Sequence, residues 1–152
     1  MKNNLITLLL LTSISIMGQS RIISKPPKKT WKILIKNSNT KEDNYNMIGQ
    51  IIIDNDLTIE RKDIDYLTLE TAPTVTNGHT SIYYLKFVAK DNLIVLTGMA
   101  KSRINVGLTN VDEEYLKIQN VGMKGSINRD QWDSMFNFTK LFLNSDLEFI
   151  TE

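Results

Sequence analysis

The stretch that decides the fold is residues 81–100, which read SIYYLKFVAKDNLIVLTGMA. Its side chains alternate, with Tyr83, Leu85, Phe87 and Ala89 on one side and Ile82, Tyr84, Lys86 and Val88 on the other. A period of two residues is typical of a strand whose two faces differ. Asp91 and Asn92 interrupt the alternation, and both residue types tolerate positive φ. We therefore predict a hairpin with a two-residue turn, whose type stays open because the turn contains no glycine.

Further extended segments lie on both sides of this hairpin. Residues 30–36 also alternate, with Trp31, Ile33 and Ile35 on one side and Lys32, Leu34 and Lys36 on the other. The other extended segments are shorter or less regular, and they comprise residues 57–61, 66–71, 102–111 and 115–121. Turn signals such as Asn77-Gly78 separate them. Together they predict a mainly antiparallel sheet of about five strands.

Two segments combine helical spacing of apolar residues with capping residues. In residues 40–54 the candidate N-cap is Thr40, and in residues 128–143 it is Asn128. Residues 51–53 are three isoleucines, which would also suit a strand, but the cap and the spacing favour a helix. We therefore predict an α+β fold, in which the two helices pack on one face of the sheet.

The first residues have the layout of a secretory signal. Lys2 precedes an apolar run that is shorter than the ~20 residues of a membrane span, and a small residue follows it. We predict a signal peptide at residues 1–18, a basic leader with two prolines at residues 19–29, and a single α+β domain at residues 30–152. The mature protein is then exported, either periplasmic or secreted. A retained membrane anchor is the alternative.

Charge is unevenly distributed along the chain, although its 18 Lys and Arg nearly balance its 17 Asp and Glu. The cations concentrate before Glu42, which is the first acidic residue, and acids outnumber cations after it. The lysines of the leader are therefore candidate contacts for an anionic surface such as a membrane, and they are Lys25, Lys28 and Lys29. The alternative is a solvated leader that lies on the protein's own acidic face. Nucleic acid is not expected as a partner of an exported chain with an acidic body.

The sequence offers little catalytic or metal-binding chemistry. The absence of cysteine excludes disulfides, thiolate zinc sites, iron–sulfur clusters and a cysteine nucleophile. His79 is the single histidine, and no Gly-x-Ser-x-Gly motif is present. The candidate carboxylate groups all lie at predicted turns, where Asp is favoured for backbone reasons: Asp54 with Asp56, Asp63 with Asp65, and Asp112 with Glu113 and Glu114. We predict no enzyme activity, no catalytic residues, no cofactor and no metal.

Aromatic residues concentrate in the hairpin and in the last helix. Trp132, Phe136 and Phe142 recur at helical spacing, so we expect them to pack on the sheet as core. The alternative is a cleft between helix and sheet that takes an apolar ligand. Phe138 lies off this stripe, so we expect it to be exposed and take it as a candidate contact with a binding partner.

Several segments also resemble a pattern that recurs in small exported proteins. They run from Asn39 to Tyr45, from Ile48 to Gln50, from Asp54 to Ile59 and from Leu69 to Thr71. Over about residues 30–143 the chain resembles small exported domains of Bacteroidota with a TBP-like or helix-grip fold, most of them uncharacterised. It is similar in outline to domains of outer-membrane assembly lipoproteins, but it lacks their lipidation cysteine. The resemblance implies a non-enzymatic envelope role and supplies no catalytic residues.

These observations favour a non-catalytic exported or periplasmic domain that binds a protein, a peptide or an envelope component. The alternative is a carrier that holds an apolar small ligand between helix and sheet. A carboxylate-based hydrolase is the third hypothesis, and it requires two carboxylates in one concave pocket.

Overall fold

The computed structural model describes residues 25–103, 114–143 and 145–152. The predicted signal peptide, the leader before residue 25, residues 104–111 of a predicted extended segment, and Asp112 and Glu113 lie outside the described residues. The strands are β1 (Thr30–Lys36), β2 (Ile59–Asp63), β3 (Thr68–Thr71), β4 (Thr74–Val75), β5 (Ser81–Lys90), β6 (Leu93–Ser102), β7 (Leu116–Lys117) and β8 (Asp146–Thr151). The helices are α1 (Lys41–Asp54) and α2 (Ile127–Phe138), and one 3-10 turn (Thr139–Leu141) follows α2.

The described strands form one antiparallel sheet. Its order is β2-β3-β5-β6-β1-β8, while β4 pairs with β5 and β7 pairs with β6. With the two helices, this confirms the predicted α+β class. The prediction of about five strands is wrong, because the described sheet has eight. The strands that sequence reasoning missed include β4, which has two residues, and β8, an edge strand whose pairing partner β1 is distant in the sequence.

The central hairpin forms as predicted. β5 and β6 pair continuously from Ser81 with Ser102 to Lys90 with Leu93, which leaves two residues in the turn. Of those two, Asn92 has a positive φ of 59° and the preceding aspartate does not. The turn is therefore not type I′, which needs positive φ at both central positions.

α1 begins where its capping residues predict. The Thr40 hydroxyl accepts a hydrogen bond from the Asp43 N–H at 3.1 Å and donates one to the Asp43 carboxylate at 2.8 Å. Residues 51–53 continue the helix, which ends at Asp54. The cap and the helical spacing therefore outweigh the strand preference of three consecutive isoleucines.

α2 differs from its prediction at both ends. Its N-cap is Ser126, whose hydroxyl accepts a hydrogen bond from the Arg129 N–H at 3.3 Å, whereas Asn128 lies inside the first turn. The helix ends at Phe138 rather than continuing to residue 143, because the chain tightens there into the 3-10 turn. Within the described residues, no helix is long and apolar enough to cross a membrane.

The core lies between the two helices and one face of the sheet. Both the strands and the helices contribute side chains that have no exposed surface. They are Ile33, Ile35, Leu85, Phe87, Ile94 and Leu96 on strands, and Ile48, Ile52, Trp132 and Met135 on helices. They belong to a single hydrophobic cluster. Side chains therefore fill the space between the Trp132–Met135 part of α2 and the sheet.

Phe138 belongs to this core, so the prediction that it is exposed is wrong. Its side chain is 6% exposed, and its ring centroid lies 5.4 Å from that of Phe87 and 6.1 Å from that of Phe142. Phe138 follows the buried Met135 by three residues and so continues the inward stripe of α2. The suggested role of Phe138 as a partner contact depended on the exposure that it lacks.

Candidate binding surface

The face of the sheet opposite the helices is partly open to solvent. Both helices pack on the other face: a Cβ added at Gly98 would lie 2.9 Å from Met135 of α2, and one added at Gly49 of α1 would lie 4.0 Å from Leu69. The residues that alternate with the buried ones are half-buried or exposed. We call them the open face: Lys32, Leu34 and Lys36 on β1, Ile82, Tyr84, Lys86 and Val88 on β5, and Val95, Thr97, Met99 and Lys101 on β6.

On the open face, four lysines surround Thr97 and Met99 of β6. Thr97 pairs with Lys32 of β1 on one side and with Lys86 of β5 on the other. Met99 pairs with Lys117 of β7, and the fourth lysine follows Met99 by two residues on the same face. Paired residues lie roughly 5 Å apart, and successive rows on one face lie about 6.7 Å apart. We call this group the lysine patch: Lys32, Lys86, Lys101 and Lys117.

Aromatic rings hold three of these ammonium groups. The Nζ of Lys32 lies 4.4 Å and the Nζ of Lys117 lies 4.2 Å from the ring centroid of Trp31. The Nζ of Lys101 lies 5.0 Å from the ring centroid of Tyr115. Each contact is a cation–π interaction, worth about 0.5–1 kcal/mol at an exposed site. The rings therefore restrict the positions of charges that would otherwise move freely at the ends of flexible side chains.

Tyr84 adds a hydroxyl group beside the patch. Its ring packs edge-on against that of Tyr115, with centroids 5.1 Å apart. Partial burial, and then the nearby charge of Glu70, raise the pKa of the Tyr84 phenol above its usual value. The hydroxyl therefore stays protonated at neutral pH and can donate a hydrogen bond to a partner.

Three lysines of the patch have no carboxylate partner among the described residues. Lys117 is the exception, since it forms an ion pair with Glu152. The other oxygen of the same carboxylate accepts a hydrogen bond from the Gln119 amide at 2.8 Å. Beyond the patch, Lys36 pairs with Glu148 on β8. The patch thus carries a net positive charge.

Trp31 occupies a position that the sequence did not predict. Strict alternation would place it with Ile33 and Ile35 in the core. The pairing of β1 with β8 shifts in register between Thr30 and Lys32, and such an irregularity interrupts alternation. Trp31 is accordingly half-buried and lies against two lysines of the patch.

The leader lysines predicted as binding contacts are all exposed: Lys25, Lys28 and Lys29. The chain between them is fastened to the domain. The side-chain nitrogen of Asn120 donates hydrogen bonds to the carbonyl oxygens of Pro26 and Pro27, at 2.9 and 2.6 Å. The side-chain oxygen of Asn120 accepts one from Arg129 at 3.0 Å. The described part of the leader is therefore held by Asn120, which Arg129 of α2 holds in turn, and the contact of the leader with an anionic surface stays a prediction.

Two of the carboxylates named as catalytic candidates accept hydrogen bonds from nearby residues of the chain. The Asp63 carboxylate accepts a hydrogen bond from the Tyr66 N–H at 3.0 Å, as in an Asx-turn, and the Asp54 carboxylate accepts one from Gln50 at 2.6 Å. His79 is exposed and has a φ of 57° within a turn. Within the described residues, no group of three or more His, Asp or Glu is placed to hold a metal ion.

A cleft of about 630 Å³ lies between the end of β6, β7 and the start of α2. Apolar side chains such as Leu116 and Ile127 line it together with polar ones such as Gln131. Glu114 is the one carboxylate on its described lining. Because acid–base hydrolysis of a glycoside needs two carboxylates, this lining does not supply the pair that the hydrolase hypothesis requires.

The resemblance to exported Bacteroidota domains stays a prediction, because no protein-family model, no curated protein and no solved structure matches this chain.

Proposed function

We propose that this chain is a non-catalytic exported domain that binds a protein or peptide of the cell envelope through the open face of its sheet. The observation that carries the proposal is the contrast between the two faces. One face is buried under both helices, whereas the other presents a partly exposed surface of apolar, aromatic and cationic side chains.

The chemical composition of the open face suits a protein interface. Leu34, Val95 and Val88 form a continuous apolar row across β1, β6 and β5. The lysine patch lies beside that row. Interfaces between proteins commonly combine an apolar centre with a polar rim and are enriched in aromatic residues.

The open face is long and narrow. The ten residues of β5 and of β6 each span roughly 33 Å, and the face extends across three neighbouring strands, β1, β6 and β5. This shape suits a partner segment that lies along the strands.

The same proposal places the domain outside the cytoplasm. It rests on the signal-like layout of residues 1–18. The exposed leader lysines would then add a second contact, to an anionic membrane surface.

Site-specific photo-crosslinking in the native envelope tests the proposal. A photoreactive amino acid at Val95, in the middle of the apolar row, should give a discrete crosslinked protein adduct. The same amino acid at Asn46, which is exposed on α1, is the matched control and should give none. Equal adducts at both positions, or no adduct at Val95, would reject the open face as the binding surface.

A further inference from the structure

We infer that the lysine patch binds an extended, acidic segment of the partner protein. This inference rests on the proposed function and specifies the chemistry of the partner. Its basis is the set of three lysines that lack a carboxylate partner among the described residues: Lys32, Lys86 and Lys101. Carboxylates are the complementary groups for ammonium ions on a surface of this kind.

The rings of the patch favour this partner over a sugar. The ammonium groups of Lys32 and Lys117 lie against the ring of Trp31, and that of Lys101 lies against the ring of Tyr115. Ring faces occupied by cations are not free to stack on a sugar. They instead hold the cations in place before binding, which lowers the entropy cost of forming an ion pair with a partner.

The patch already binds one glutamate side chain. The Glu152 carboxylate of this chain is held by the Lys117 ammonium on one oxygen and by the Gln119 amide on the other. Glu152 follows directly after the edge strand β8. A peptide carboxylate presented from extended backbone therefore fits the geometry of the patch, and the remaining lysines can receive others.

The charges around the patch favour a protein over a membrane. A surface that adsorbs to anionic lipid gains from every cation and loses from every acid. Here acidic residues lie on the same side of the sheet, including Glu70 opposite Lys86 and Glu148 opposite Leu34. A partner segment with alternating acidic and other side chains can match a surface of mixed sign, whereas a uniformly anionic bilayer cannot.

The spacing also suits an extended chain. Alternate side chains of an extended peptide lie about 6.7 Å apart, which is the distance between successive rows of one sheet face. A segment laid along β6 would pass Thr97, Met99 and Lys101 in register. Its alternate acidic side chains would then reach lysines on both sides.

A peptide-display selection tests this inference. The full-length protein is used to select from a library of random peptides, and the best binder is then resynthesised with Gln at each Asp and Glu. The patch variant is Lys32→Gln with Lys101→Gln. The charge-matched control is Lys62→Gln with Lys140→Gln, two exposed lysines outside the patch.

The expected result is that selected peptides are enriched in Asp and Glu at alternating positions. Their affinity should fall about tenfold on the patch variant and stay unchanged on the control, since each lost ion pair contributes up to about 1 kcal/mol. The Gln-substituted peptide should bind the wild-type protein with an affinity that is lower by a similar factor. Its affinity for the patch variant should be little lower than its affinity for the wild-type protein.

Three results would each overturn the inference. The first is a selection without enrichment in acidic residues. The second is binding of the selected peptides that is insensitive to the patch variant. The third is patch-dependent binding to phosphatidylglycerol vesicles without selection of any acidic peptide, which would indicate a membrane. In each of these cases, a crosslink at Val95 that persists in the patch variant would leave the proposed function standing. The absence of a Val95 crosslink in the otherwise wild-type protein would reject the proposed function itself.

Discussion

The side-chain nitrogen of Asn44 lies 2.8 Å from the main-chain carbonyl oxygen of Lys90 and donates a hydrogen bond to it. This bond ties α1 to the end of the β5–β6 hairpin. Asn44 has no exposed surface, and its amide also exchanges hydrogen bonds with Asn37, at 2.7 and 3.3 Å. One buried amide thus joins a helix, a hairpin and the turn after β1 in a single polar cluster.

Replacing Asn44 with alanine should lower the free energy of unfolding by about 2–3 kcal/mol, because the part-buried hydrogen bonds of its amide with the Lys90 carbonyl and with Asn37 would be lost. Chemical denaturation measures the change. Asn46→Ala is the control on the same helix, since Asn46 is exposed, and it should change stability by less than about 0.5 kcal/mol. Equal effects of the two substitutions would mean that the polar cluster contributes nothing to stability.

Two glycines should respond to alanine in opposite directions. At Gly98, a Cβ would lie 2.8 Å from Ile118 Cδ1 and 2.9 Å from Met135 Sδ, and Cβ atoms in proteins essentially never approach another heavy atom so closely. Gly98→Ala should therefore destabilise the fold by about 1–3 kcal/mol. At Gly49, inside α1, the nearest atom outside the surrounding helix backbone would be Leu69 Cδ1 at 4.0 Å, so Gly49→Ala should stabilise the fold by about 0.5–1 kcal/mol. Thermal unfolding of the two variants measures the sign of each change in stability. A stabilising Gly98→Ala substitution would refute the close approach of α2 to β6.

Trp132 should be the most costly residue of α2 to truncate. Its side chain has no exposed surface and stacks on Phe136, with ring centroids 5.8 Å apart. Trp132→Ala should cost about 3–5 kcal/mol of unfolding free energy. Trp132→Phe should cost less, because the buried indole N–H has no hydrogen-bond partner among the described residues. A loss below about 1 kcal/mol for the alanine variant would place Trp132 outside the core.

The sequence predicts those parts of the fold whose own residues contain the decisive signal. The β5–β6 hairpin follows from strict alternation, and the start of α1 follows from Thr40 and Asp43. β8 was missed because an edge strand of six residues owes its existence to pairing with β1, a partner far away in sequence. The start of α2 was misplaced because Ser126 and Asn128 are both good caps, and the path of the preceding loop decides between them.

The candidate site was less predictable, since it depends on which strands are neighbours. Alternation does place Lys32 and Lys86 on the outward side of their own strands. Only the strand order brings them to either side of Thr97. The prediction that Trp31 lies on the same face as Ile33 and Ile35 is wrong, because the local sequence contains no signal for the register shift between Thr30 and Lys32.

Asp130 should make stability depend on pH through its contacts with the turn before β5. Its carboxylate accepts hydrogen bonds from the Gly78 N–H at 2.7 Å and from the Thr80 hydroxyl at 2.6 Å. Partial burial acts to raise the pKa of this carboxyl, but the hydrogen bonds that the carboxylate accepts, among them those from Thr80 and Gly78, together outweigh it and hold the pKa below its usual value. The charged form is thus more favourable in the folded state than in the unfolded chain.

A lowered pKa in the folded state contributes stability that is complete above the unfolded value and is lost as the pH falls below it. Asp130→Asn should therefore cost about 1–2 kcal/mol near neutral pH, and the difference from wild type should shrink as the pH falls from about 4 toward the lowered pKa. Denaturation curves of both proteins across that range measure the change. Asp133→Asn is the control on the same helix. Its pair with Arg129 is more than one-third exposed on both sides, so it should shift stability by less than about 0.5 kcal/mol. A difference between wild type and Asp130→Asn that stays constant with pH would show that the Asp130 carboxylate does not hold the turn in its charged form.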